Sequence, residues 1–250
     1  MRAVFRRLRQ AGLVWPTLLA LAGLAVLIGL GTWQMSRKAW KEGLLAQIAE
    51  RARASPVPLA EALRRWRETG DVEYLHVRIA GRFRHEAERH VFAIDERLGP
   101  GFHVYTPLET PEGQLVLVNR GFVPDRLADP ALRPQGQVAG DAVLTGLARR
   151  PQARPRFTPE SDTTRNVFYW PDFAGMQASL RAVGQGRQVV PFFVEADAQP
   201  ANPGGLPKGG VTRLMLPNRH LEYALTWYGL ALTLVGVFAA FARTRLRSVA

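Results

Sequence analysis

Two stretches of this chain carry no charge at all. Residues 10–36 run for 27 positions dominated by Leu, Ala, Gly, Val and Ile, and residues 223–242 run for another 20. An α-helix rises about 1.5 Å per residue, so about 20 apolar residues cross a hydrocarbon layer about 30 Å thick. Both stretches meet that length, and two bilayer crossings are expected. A cleaved signal peptide competes for the first stretch, because an arginine-rich start precedes it. The stretch exceeds the roughly 7–15 apolar residues of a signal. A retained anchor is therefore expected.

Charge gives the orientation. Arg2, Arg6, Arg7 and Arg9 precede the first stretch and Arg243, Arg245 and Arg247 follow the second, with no acidic residue in either flank. Lys and Arg beside spans stay on the cytoplasmic side, so both termini are expected inside and the intervening chain outside. A net charge of +12 would suit nucleic acid, but these seven arginines leave only +5 over residues 37–222. The excess belongs to the membrane flanks, and no nucleic-acid partner is expected. Nine residues before the first run leave no room for an amphipathic transit peptide. The expected address is a bacterial inner membrane, with a periplasmic central region. The expected organisation is a cytoplasmic basic N-terminus (1–11), a first transmembrane helix (12–35), a periplasmic β-rich domain (36–219), a second transmembrane helix (220–242) and a cytoplasmic basic tail (243–250).

Small residues suggest contact between the spans. Ala25 and Gly29 share a helical face, as do Gly229 and Gly236 one heptad apart, and such faces allow close approach in lipid. Equally, Ala and Gly are simply common in membrane helices.

Beyond the first span, Trp33 and Trp40 suit an outer interface on a helical extension that Pro56 and Pro58 break. Leu59, Leu63 and Trp66 then mark a short amphipathic helix ending near Gly70. From Leu75 the period changes to two: Leu75, Val77, Ile79, Gly81 and Phe83 alternate with His76, Arg78, Ala80 and Arg82. That is the pattern of a half-buried strand. Further strands are expected over 89–95, 102–108, 114–123, 137–148 and 188–196, with turn clusters at 98–101 and 111–113 and one helix near 172–183. Short turns between close strands argue for a mostly antiparallel sheet. The fold class is therefore α+β: two transmembrane helices flanking one β-rich extracytoplasmic domain. The pattern leaves open whether the sheet closes into a barrel.

Several motifs fail on spacing. His85 and His90 mimic a zincin pair, but a separation of five residues puts the rings about 140° apart on a helix and on opposite faces of a strand. A polar turn is the simpler reading. His76 and His103 sit in strand patterns, as surface or satisfied histidines would. Gly184-Gln185-Gly186 lacks the third glycine of a dinucleotide loop, and the glycines from 204 to 210 do not form a phosphate loop. No Gly-x-Ser-x-Gly is present, and there are no cysteines, which excludes disulfides, thiolate metal sites and cysteine nucleophiles.

His220 differs in its location. It stands at the mouth of the second span, with Tyr223, Ala224 and Trp227 on its helical face at i+3, i+4 and i+7. A neutral imidazole is the commonest haem ligand, and an ionisable group at a span is a functional candidate by default. The plainer reading is an interfacial histidine that anchors a helix beside Arg219.

Several segments together resemble the Surfeit locus protein 1 family of cytochrome c oxidase assembly factors. They are Gly31-Thr32-Trp33-Gln34 through Lys41, Gly101-Phe102-His103-Val104-Tyr105-Thr106-Pro107, and Val118-Asn119-Arg120-Gly121-Phe122-Val123-Pro124. Gly209-Gly210-Val211-Thr212-Arg213 follows, then Asn218-Arg219-His220-Leu221-Glu222-Tyr223 and Thr226-Trp227-Tyr228-Gly229-Leu230. One segment departs from the family pattern. Pro159-Glu160-Ser161-Asp162-Thr163-Thr164-Arg165-Asn166 lacks the turn proline, and Tyr169-Trp170-Pro171-Asp172 lacks an arginine.

The resemblance implies a non-enzymatic, chaperone-like factor that transiently binds or hands over haem a as the oxidase catalytic subunit matures. His220 is implied as the axial iron ligand, with Tyr223 and Trp227 as ring neighbours. No catalytic residues are implied. The oxidase catalytic subunit is the implied partner, haem a synthase a further candidate, and the lipid bilayer the setting. Arg120 and Arg213 could meet haem propionates, although structural salt bridges are the favoured reading for both. Four unclustered methionines and no cysteine fit copper delivery poorly. A cofactor-free scaffold that docks oxidase subunits is the alternative, and an enzyme acting on haem would require a perturbed polar cluster in the outer domain.

Overall fold

The computed structural model describes residues 9–180, 186–212 and 218–248. It divides into two compact units, Ile48–Leu214 and the two chain ends, Met1–Gln47 with Met215–Ala250. Helix α1 spans Val14–Arg53, strand β1 is Val57–Pro58, and α2 is Leu59–Thr69. Then come β2 (His76–Phe83), β3 (Arg89–Asp95), β4 (Gly99–Glu109), β5 (Leu115–Pro124), β6 (Asp141–Arg149) and β7 (Val167–Phe168). Helix α3 (Phe173–Leu180), β8 (Val189–Ala196) and α4 (His220–Arg247) complete the order. The last part of the expected helix near 172–183, Gly184 of the dinucleotide-loop decoy, and Arg2, Arg6 and Arg7 lie outside the described residues.

Helices α1 and α4 are long and apolar enough to cross a membrane. Their apolar side chains stay uncovered: Leu19 is 72% exposed and Leu232 75%. In a water-soluble core such leucines would be buried, so these surfaces suit lipid. Outside the span α1 continues to Arg53, where the chain turns extended ahead of Pro56, because the residue before a proline disfavours the helical region. Gly70 ends α2 in the left-handed conformation, at φ +67°, and its N–H bonds the Trp66 carbonyl.

The sheet closes. Strands run in the order β2, β6, β8, β5, β4, and β2 pairs again with β4 through Arg82 opposite Glu109 and Phe83 opposite Leu108. The result is a five-stranded barrel of mixed direction. Most pairings are antiparallel, but β5 and β8 run parallel, which needs the long crossover carrying α3. Strands β3 and β7 extend the sheet beyond β4 as a flap. Val77, Ile79, Val116, Val118, Phe192 and Val194 fill the interior, and Trp66 of α2 packs on Phe192 with ring centroids 5.9 Å apart. On the outer face Leu117, Tyr105 and Phe193 meet Met176 and Leu180 of α3. Covered on both faces, β5 is buried at every position. That is why its first four residues, Leu115 to Val118, read as an unbroken apolar run rather than an alternating one.

The decoy histidines serve structure. His85 opens a short 3-10 turn, and Nε2 of the His90 ring lies 2.7 Å from Oε1 of the Glu88 carboxylate. Glu88 also receives both terminal nitrogens of Arg133, and both side chains of this pair are almost fully buried. Burial pushes the Glu88 carboxyl up, but hydrogen bonds from His90 and Arg133 hold it below its usual 4.5. Burial also lowers the His85 ring from 6.5, with Arg120 adding to the effect.

Both shifts make the barrel acid-labile. A depressed folded value means stability fully present above the unfolded value and lost as pH falls through the folded one. Thermal unfolding midpoints should therefore hold down to about pH 6.5, decline as His85 is forced to charge, and fall further below pH 4.5 as Glu88 protonates. A midpoint that rose between pH 6.5 and 4 would contradict this account.

Candidate functional site

Each long helix hides a seam at alternating steps of four and three. On α1 it runs through Ala20, Leu24, Leu27, Gly31, Gln34 and Lys38, and on α4 through His220, Ala224, Trp227, Ala231, Leu234 and Phe238. A 3.5-residue repeat is that of a left-handed helix pair. Contacts link high numbers on α1 to low numbers on α4, so the helices are antiparallel. A Cβ on Gly31 would lie 2.5 Å from the Tyr228 ring, and one on Gly23 would lie 3.3 Å from Leu234. The Thr32 and Tyr228 hydroxyls lie 3.3 Å apart.

The spans therefore touch as expected, but through other residues. Ala25 and Gly29 are exposed, and a Cβ on Gly29, Gly229 or Gly236 would meet nothing within 4 Å. A spacing of small residues defines a stripe without saying which stripe faces the partner. The stripe that does so carries polar groups able to pair.

His220 is the first residue of α4 and is half-buried. Its Nδ1 lies 2.7 Å from Oε1 of Gln34 on α1. An amide oxygen can only accept, so Nδ1 is the donor in this contact, and in the neutral ring that tautomer leaves the lone pair on Nε2. Trp227 is half-buried on the same seam, whereas Tyr223 lies off it and is 52% exposed. Arg219 pairs with Glu222 at 2.8 Å beside the helix start. Gln34 was legible only as part of a motif. Its physical signal was a long amide in an otherwise uncharged run, where a polar group must find a partner.

In the barrel unit three motif segments converge. His103 from β4, Phe122 from β5 and Gly209, Gly210, Val211 and Thr212 line one cleft of about 530 Å³. The Lys208 backbone explains part of this, exchanging hydrogen bonds of 2.9 and 2.8 Å with Phe122. Gly121, at φ +126°, leaves the room that a side chain would take from the Lys208 carbonyl.

Arg120 forms no salt bridge among the described residues, which corrects the expectation of a structural ion pair. Nη2 donates instead to the Gly136 carbonyl at 2.6 Å and to Asn202 Oδ1 at 2.9 Å. Arg213 lies outside the described residues. Among the described residues, no group of three or more His, Asp and Glu side chains could hold a metal ion.

Comparison with known proteins is consistent along the chain. The SURF1 family model matches residues 21–232. Surfeit locus protein 1 of Mus musculus is 38% identical over 222 residues, covering 82% of this chain and 69% of its own. The Homo sapiens protein of that name is 37% identical over 220 residues, covering 81% and 69%. A SURF1-like protein of Monosiga brevicollis is 34% identical over 234 residues, covering 89% and 85%.

Proposed function

The chain belongs to the SURF1 family, the cytochrome oxidase assembly factors, and from that premise we propose that it binds haem a at His220 during maturation of the oxidase catalytic subunit. Supporting this reading is the His220–Gln34 hydrogen bond. Metal-bound imidazoles almost always donate their other ring N–H to a second group, which fixes tautomer and ring orientation. Gln34 supplies that second group, and Nε2 is the atom that would hold the iron. Trp227 would lie along the ring face from its place on the seam. Tyr223, exposed on the neighbouring stripe, would bound the lipid side. When bound, haem a carries the redox-active iron that the finished oxidase uses, while the chain's part is binding and orientation.

Both termini are assigned to the cytoplasm and the barrel to the periplasm of a bacterial inner membrane, from the arginines flanking the spans. The oxidase catalytic subunit, and haem a synthase as supplier, are the partners this reading requires.

The test is the absorption spectrum of protein purified from haem-a-producing cells. The wild-type chain should carry a haem a spectrum and His220→Ala should lose it. Gln34→Leu, which leaves Nδ1 without its acceptor, should weaken haem a affinity roughly 10–100-fold. Full occupancy in His220→Ala would remove the ligand assignment and leave the cofactor-free scaffold reading.

A further inference from the structure

Arg120 is 1% exposed, and its guanidinium carbon stacks 4.6 Å from the Phe83 ring centroid. Nη2 is engaged as described, but Nε and Nη1 have no hydrogen-bond partner. Three of the five N–H donors of a guanidinium are therefore unmet. The Glu88 carboxylate acts on this cation through space but makes no direct ion pair with it, and a buried cation left short of partners is costly.

Its position has a backbone cause. Val104 of β4 faces Gly121 and Tyr105 faces Asn119, so Arg120 is the extra residue of a bulge in β5. It continues the inward series of Val116 and Val118. Bulges often re-aim a side chain beside a site.

The side chain lines a cavity of about 300 Å³ between the ends of β2 and β8 and the start of β6. Phe83, Val138, Ala142 and Leu144 form an apolar wall. Gln199, Pro200 and Ala201 form an exposed rim. Asp197 lines the same cavity, but its Oδ2 is bonded to the His76 ring at 2.8 Å and the Thr145 hydroxyl at 2.5 Å. The unmet donors are those of Arg120. The volume is at the lower end for small-ligand sites.

We propose that this cavity binds the carboxylate of an amphipathic ligand, with the anionic end on Arg120 and the apolar body against Phe83 and Leu144. Burial pulls the guanidinium down to about 10, so it remains a cation at neutral pH. Arginine–carboxylate bonds are among the stronger charge-assisted contacts. The assignment is independent of haem at His220. Its ligand could be a free small acid or the carboxyl end of a polypeptide.

The probes are hexanoate and N-acetyl-leucine, with hexanamide and N-acetyl-leucinamide as neutral controls. Each is titrated into the full chain in lipid nanodiscs while the Arg120 Nε–Hε resonance is followed, assigned by its absence in Arg120→Lys. A saturable shift with a carboxylate and none with its amide is expected. Hexanoate alone acting would identify the free acid, and N-acetyl-leucine alone the chain terminus. Ala201→Trp, placed on the exposed rim, should weaken binding about tenfold without moving the thermal midpoint. No saturable shift with either acid, equal shifts with the amides, or unchanged affinity in Ala201→Trp would overturn the proposal.

Discussion

Glu88→Ala destabilises the barrel unit by about 3–5 kcal/mol, the penalty for leaving one member of a buried ion pair uncompensated. The orphan is Arg133, whose side chain is 2% exposed and whose remaining bonds go to the Leu127 and Ala128 carbonyls. His90 loses its partner as well. Glu88 also marks where the turn after β2 meets the connection between β5 and β6, since Arg133 belongs to the second. The double variant Glu88→Leu/Arg133→Leu should recover a large share of the loss, because it removes the unpaired charge. Denaturant unfolding followed by near-ultraviolet circular dichroism measures both. A single-variant loss below about 1 kcal/mol, the range of exposed ion pairs, would show that the pair is solvated in solution.

Gly31→Leu drives the two long helices apart. Even the first added carbon would sit 2.5 Å from the Tyr228 ring, and the rest has no space on the seam. Since the chain has no cysteine, the readout is clean. A Leu27→Cys/Ala231→Cys pair on the facing seams should cross-link under oxidation in the parent. In Gly31→Leu the rate should fall at least about tenfold, since disulfides tolerate Cα separations only up to about 7 Å. If His220 holds haem a as proposed, its occupancy should fall with the cross-linking, because Gln34 moves away from His220. Gly29→Leu is the matched control, as a Cβ there meets nothing within 4 Å. Equal cross-linking in Gly31→Leu and Gly29→Leu would mean that the seam is not where the helices meet.

The strands were legible because alternation is local. Val77, Ile79 and Phe83 face the core at the spacing the residues suggested, and β3 falls on its expected bounds. Barrel closure was not legible, since it rests on two residue pairs joining β2 and β4 across the intervening chain. Nor was the parallel pairing of β5 with β8, or the two-residue strands β1 and β7, which are too short to show a period. Strand β4 begins at Gly99, inside an expected turn cluster, because Gly99 already pairs with Asp95. Strand β6 begins only at Asp141, after Gly140 at φ +82°.

Of the candidate site, His220 stood out as an imidazole at a span mouth. Its partner did not, because Gln34 lies 186 residues away and a helical period predicts only contacts within its own helix.

That separation has a consequence for synthesis. At roughly 5–20 residues per second, the ribosome needs about 10–40 s to travel from Gln34 to His220. The first long helix must wait without its partner while the whole barrel is translated, and only then does the last helix arrive beside it. The imidazole and its orienting amide thus come together only at the close of synthesis, so a half-made chain lacks the His220–Gln34 pair altogether.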